Sequence, residues 1–122
     1  MRLIGLAMMI WMACAAAAAA GTYLLMAEEK GCMWCERWNN EIAHIYPKTP
    51  EGRAAPLRRF DLHSGQPENV ELARPLHFTP TFVLVHNDVE TGRIEGYPGE
   101  DFFWGLLGKL LERAEINLSP SG

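Results

Sequence analysis

The chain has 122 residues, 48% hydrophobic and 21% charged, with a formal net charge of -4. That length suits one domain with a real core. Charges of both signs are interspersed and the balance is acidic, which argues against a nucleic-acid binder, since such proteins carry a basic face.

The first 20 residues stand apart. Arg2 supplies a short positive start, residues 3–14 are apolar, and a run of alanines from Ala15 to Ala20 leads into Gly21. Charge, apolar stretch and small residues in that order read as a secretory signal peptide. Residues 1–20 are therefore expected to be a signal peptide cleaved near Ala20, and residues 21–122 an exported domain. A retained membrane anchor is the alternative, although the strongly apolar part is shorter than the roughly 20 residues a spanning helix requires. Lipidation at Cys14 is a third option, for which Trp11-Met12-Ala13 is a poor lead-in. If Cys14 leaves with the leader, Cys32 and Cys35 are the only thiols of the mature domain. Export implies an oxidising compartment. Two cysteines this close cannot close a long loop, so a purely structural staple gains little.

Residues 22–27 are short and apolar, bounded by Gly21 and the acidic Glu28-Glu29, and predict a buried strand. Gly31 then punctuates the chain, and a helix is expected from about Cys32 to Pro47. Cys35, Trp38, Ile42 and Ile45 fall on one face of it, with Glu36, Arg37, Asn39, Asn40 and Glu41 on the other. Residues 48–56 read as a loop. Residues 57–62 read as a strand with Phe60 and Leu62 on one side, 63–67 as a turn and 68–73 as a short helix. A strongly apolar strand at 82–85 arrives directly from Thr79-Pro80-Thr81. Residues 87–92 suit a turn, and a partner strand is expected from Arg93. Glu100-Asp101 opens a last helix, where acidic residues suit the N-terminus. Its apolar stripe is Phe103, Leu106, Leu107, Leu110, Leu111 and Ala114. The order of elements implies a parallel pair in the first strand–helix–strand unit and a hairpin near the end. The predicted class is α/β: a small mixed four-stranded sheet flanked by helices.

Cys32-Met33-Trp34-Cys35 sits where the first strand gives way to the first helix. Unpaired N–H groups and the helix dipole favour negative charge there, which stabilises a thiolate on Cys32. The thiolate is the nucleophile of thiol–disulfide exchange. Cys35 lies one turn further, on the apolar stripe, placed to resolve a mixed disulfide on Cys32. C-x-x-C beside a strand–helix–strand pattern is a redox signature. Haem attachment would put His where Glu36 stands. Zinc would require two further ligands, and His44, His63, His77 and His86 do not pair at ligand spacing. Met26 and Met33 leave a Cu(I) module open. The expectation is thiol–disulfide exchange with no cofactor and no metal.

The C-x-x-C at the first helix, Thr79-Pro80-Thr81 before an apolar strand, and the turn, strand and amphipathic helix that follow together resemble the thioredoxin superfamily. The resemblance spans nearly all the mature chain, without much of the N-terminal strand and helix of the full-length fold. It implies that Cys32 and Cys35 are catalytic, that Pro80 is a cis-proline facing them, that Thr79 presents its backbone to an extended partner segment, and that Trp34 contacts the partner. Met33-Trp34 replaces the usual Gly-Pro, Gly31 the usual Trp, and Met26 the usual buried Asp. Glu28 or Glu29 could stand in for that acid, or both could simply be solvated.

A narrower resemblance rests on Gly-Cys-Met-Trp-Cys at 31–35 and on the run from Ile45 to Arg59. These segments are similar to periplasmic thioredoxins of bacterial sulfur-oxidation systems, the SoxS family. That likeness implies a periplasmic monomer that reduces a protein disulfide, with a sulfur-carrier protein as partner and a membrane thiol–disulfide transporter as electron donor. Direction depends on potential: thioredoxin and the oxidant DsbA differ by about 150 mV, or about 7 kcal/mol. Met33-Trp34 brings neither a cation nor a histidine between the cysteines, so a reductase is expected. A disulfide oxidase or isomerase and a non-enzymatic metal module are the alternatives.

Overall fold

The computed structural model of the protein describes residues 21–118, so the expected signal peptide, residues 1–20, lies outside the described residues. Four strands, β1 (Thr22–Glu28), β2 (Leu57–Asp61), β3 (Thr81–His86) and β4 (Val89–Glu95), form one sheet in the order β2-β1-β3-β4. β1 runs parallel to β2, with Met26 opposite Arg59 and Glu28 opposite Asp61. β1 and β3 are antiparallel, with Met26 opposite Phe82, and β3 and β4 form the antiparallel hairpin. The mixed four-stranded sheet of the sequence reading is therefore present.

β1 and β3 are central and buried on both faces, which is why they read as nearly unbroken apolar runs. Alternate residues part to opposite faces. Leu24, Met26, Phe82 and Leu84 pack with Cys35, Trp38, Phe103, Leu107 and Leu111. Tyr23, Leu25, Ala27, Val83 and Val85 pack with Leu76 on the other side.

Among the described residues there are three α-helices: α1 (Met33–Trp38), α2 (Pro50–Ala54) and α3 (Glu100–Arg113). α1 continues as a wider π turn, Asn39–Ala43, before a 3-10 turn at Tyr46–Lys48. The π turn takes up extra chain, so the buried stripe runs Cys35, Trp38, Ile42 and then Tyr46 rather than the expected Ile45. In α3 the buried stripe narrows to Phe103, Leu107 and Leu111, one turn apart each, and Leu106 is exposed.

Three further expectations are corrected. Residues 48–56 are not all loop, because Thr49 caps α2: its hydroxyl accepts the Gly52 N–H at 3.0 Å, and Pro50 occupies the first helical position. No helix forms at 68–73. There the Glu71 N–H donates to Asp88 O and Glu71 O accepts the Glu90 N–H, so the segment bridges the start of β4 instead. Finally, the turn between β3 and β4 is only Asn87-Asp88, both at positive φ, so β4 begins at Val89.

Candidate active site

Cys32 is the N-cap of α1, with extended backbone (φ -81, ψ 100), and its carbonyl accepts the first helical hydrogen bond, from Glu36 N–H at 3.1 Å. Its Sγ accepts the Cys35 N–H at 3.1 Å. One of the orphan donors of the helix start is thus aimed at sulfur. The two cysteines form a disulfide with Cα atoms 5.2 Å apart. Gly31 turns the chain into the cap at φ +78, a conformation a side chain would strain.

The two sulfurs have unequal surroundings. Cys35 is 3% exposed within the core, whereas Cys32 lies at its margin. Met33 and Trp34, between them, are 69% and 46% exposed. Trp34 is not bare: the Arg37 guanidinium sits 5.5 Å from its ring centroid and pairs with Glu41 at 2.7 Å.

The Thr79–Pro80 bond is cis, and Pro80 is buried, its carbonyl accepting the Gly96 N–H at 2.7 Å. The Gly96–Gly99 loop is tied by that bond to the Thr79–Pro80 turn. Thr81 Oγ1 closes the turn by donating to Phe78 O at 2.7 Å, and the Phe78 side chain stands 60% exposed. Thr79 Oγ1 donates to Glu29 Oε1 at 2.7 Å, while Glu29 O accepts the Cys32 N–H at 3.3 Å. His77 is exposed, as a surface histidine would be.

An open cleft of about 470 Å³ adjoins both cysteines, walled by Glu28, Glu29, Arg59 and Asn39 among others. Trp34, Thr79 and Pro80 do not line it; Trp34 lies on the exposed side of the helix start, and Thr79 is joined to the cleft wall through Glu29. Met26 is fully buried where the superfamily comparison expects an acid. Arg59, its register partner on β2, supplies charge instead. Its Nη1 donates to Glu28 Oε2 at 2.6 Å and its Nη2 to Asn39 Oδ1 at 2.8 Å, with Met26 Sδ 3.9 Å away. Neither Glu28 nor Glu29 is therefore simply solvated. The sequence reading did not single out Arg59 or Asn39. A parallel β1–β2 register could have found Arg59; nothing in the sequence signals the π turn that positions Asn39. Among the described residues, no three His, Cys, Asp or Glu side chains converge to hold a metal.

Comparison with family models finds no match, and comparison with curated proteins finds none. Solved structures do match. The periplasmic thioredoxin SoxS of Paracoccus pantotrophus, in its reduced form, is 57% identical and superposes with a TM-score of 0.74, over 76% of this chain and 98% of its own. The Malassezia sympodialis thioredoxin Mala s 13 is 15% identical with a TM-score of 0.51, over 75% of this chain and 76% of its own, a likeness of fold. With a Cys32–Cys35 disulfide at the start of α1, a cis Thr79–Pro80 bond and this likeness, the chain belongs to the SoxS-type thioredoxins and is a thiol–disulfide oxidoreductase.

Proposed function

We propose that this protein is an exported reductase that keeps the thiol of a periplasmic partner protein reduced, the partner being a sulfur-carrier protein of thiosulfate oxidation. The N–H of Cys35, aimed at Cys32 Sγ from the helix start, carries the exchange chemistry, and Met33-Trp34, with neither cation nor histidine between the cysteines, supports the direction. In the reduced protein that donor and the helix dipole favour a Cys32 thiolate. The Cys32 thiolate attacks the partner disulfide, one partner sulfur leaves as thiolate, and a mixed disulfide forms. Cys35, having lost its proton, attacks Cys32 Sγ. The partner leaves as its second thiol, and the Cys32–Cys35 disulfide remains, two electrons having passed to the partner. Trp34 contacts the partner, and the turn at Thr79 and Pro80 receives its extended segment by strand-like pairing. A membrane thiol–disulfide transporter returns the electrons from outside the domain. Residues 1–20 direct export and are removed near Ala20. No helix among the described residues is long and apolar enough to cross a membrane.

Equilibration with glutathione tests the direction. A potential near that of thioredoxin, about -270 mV, is expected, whereas one near that of DsbA, about -120 mV, would make the protein an oxidant. Capture on Cys32 in a Cys35→Ser variant tests the partner. Recovery of a sulfur carrier supports the proposal; recovery of many unrelated secreted proteins points to general disulfide handling.

A further inference from the structure

Glu29 lies in the loop between β1 and α1, three residues before Cys32, and every polar group of it that is engaged reaches a different part of the site. Its carbonyl accepts the Cys32 N–H at 3.3 Å. Its Oε1 accepts the Thr79 hydroxyl at 2.7 Å across 50 residues of sequence, and its Oε2 stands 3.4 Å from His63 Nε2, on the turn after β2. Thr79 in turn precedes cis-Pro80, whose carbonyl holds Gly96. One half-buried carboxylate therefore joins the segment that presents Cys32 to the turn that lies beside it.

We propose that Glu29 is a positioning residue for partner capture, setting the Thr79–Pro80 turn in register with Cys32 so that a partner strand can pair with the turn while its sulfur reaches the nucleophile. This rests on the proposed reading that the Thr79–Pro80 turn receives the partner. The Thr79–Glu29 hydrogen bond fixes the turn against the segment that carries Cys32. Its loss frees the turn to sample positions that cannot pair, and binding then bears the cost of ordering it. Glu29 holds Cys32 through its backbone carbonyl, so removing its side chain leaves the Cys32 N–H bond in place. Gln at position 29 keeps an amide oxygen able to accept the Thr79 hydroxyl, so the contact is geometric and does not depend on charge.

Steady-state reduction of insulin, a protein disulfide, set against that of a small aromatic disulfide tests the proposal. Glu29→Ala and Thr79→Val are each expected to raise KM for insulin about fivefold, with a loss of kcat/KM about fivefold larger on insulin than on the small disulfide. The double variant is expected to match either single one, since both remove the same contact. Glu29→Gln is expected to stay near wild type. Additive losses, equal losses on both substrates, or an unchanged KM in Glu29→Ala would overturn the role given to Glu29. Pro80→Ala separates this from the underlying reading. If it leaves KM for insulin unchanged, the turn does not receive the partner. If it raises KM while Glu29→Ala and Thr79→Val do not, the turn is used and Glu29 does not position it.

Discussion

Cys32 and Cys35 are chemically identical and are made different by position. Cys32 ends an extended segment and caps a helix, so the Cys35 N–H reaches its sulfur; Cys35 points into the core with Trp38 and Met26. Both positions were legible in the sequence, because a C-x-x-C at a strand-to-helix junction and an apolar stripe starting at Cys35 are local patterns. The charged wall beside them was not. Arg59 reaches the cleft only through the β1–β2 register, and its place there follows from pairing 33 residues apart. A guanidinium is always protonated, so it favours a nearby thiolate whatever the pH. Arg59→Met is expected to move the pH profile of thiol alkylation in the reduced protein upward by about half a unit. An unchanged profile would show that the Glu28 carboxylate fully offsets the cation.

At the scale of elements, the strands and the long last helix announced themselves by period and composition, while the short pieces did not. Pro50 and Gly52 made 48–56 look like loop, although Thr49-Pro50-Glu51 is a helix start: a capping hydroxyl, a proline at the first position and an acid in the first turn. Gly52 is there for space, since a Cβ on it would lie 1.8 Å from Tyr46 O. Tyr46 cannot give way, because its hydroxyl donates to Ala55 O at 2.6 Å and its ring stacks on Trp104. Burial, then the charge of Glu51, holds its phenol well above the ordinary tyrosine range, so it stays a donor. Gly→Ala inside a helix ordinarily gains up to about 1 kcal/mol. Gly52→Ala is expected instead to cost about 2 kcal/mol or more, read by urea unfolding. A stabilised variant would show that the α2 backbone adjusts freely.

The stretch from 65 to 80 misled for a different reason: its order comes from side chains distant in sequence. Glu90 and Arg93 on β4 form a two-point ion pair, each contact at 2.7 Å, with both side chains nearly buried. Arg93 also donates to Arg74 O, and Glu90 accepts the Ala73 N–H. Gln66 bonds both backbone groups of Leu76. Burial pushes the Glu90 carboxyl up, but the hydrogen bonds of Arg93 and Ala73 and the charges of Arg93 and Arg74 pull it further down, so it titrates below its ordinary value. A lowered folded-state pKa gives stability that is present above the unfolded value and lost as pH falls through the folded one. Glu90→Gln is therefore expected to cost about 2 kcal/mol at pH 7. The gap from wild type should close as acid protonates Glu90 below its ordinary value of about 4.3. A gap that stays constant into acid would mean the loss is one of packing.

The whole molecule divides its sheet between two tasks. One face carries the aromatic core of Trp38, Phe82 and Phe103 and supports α1, so Cys35 rests on that aromatic core. The other face is closed by an irregular segment that delivers Thr79 and Pro80 to the same end of the sheet. The account's central claim is that Cys32 attacks and Cys35 resolves. Reacting reduced Cys35→Ser and Cys32→Ser variants with one equivalent of a small disulfide, and following each by intact mass, tests it most directly. Cys35→Ser should give one stable adduct on Cys32 at close to the wild-type rate, while Cys32→Ser should react at least about tenfold more slowly. Equal rates, or a Cys35 adduct that forms first, would contradict it.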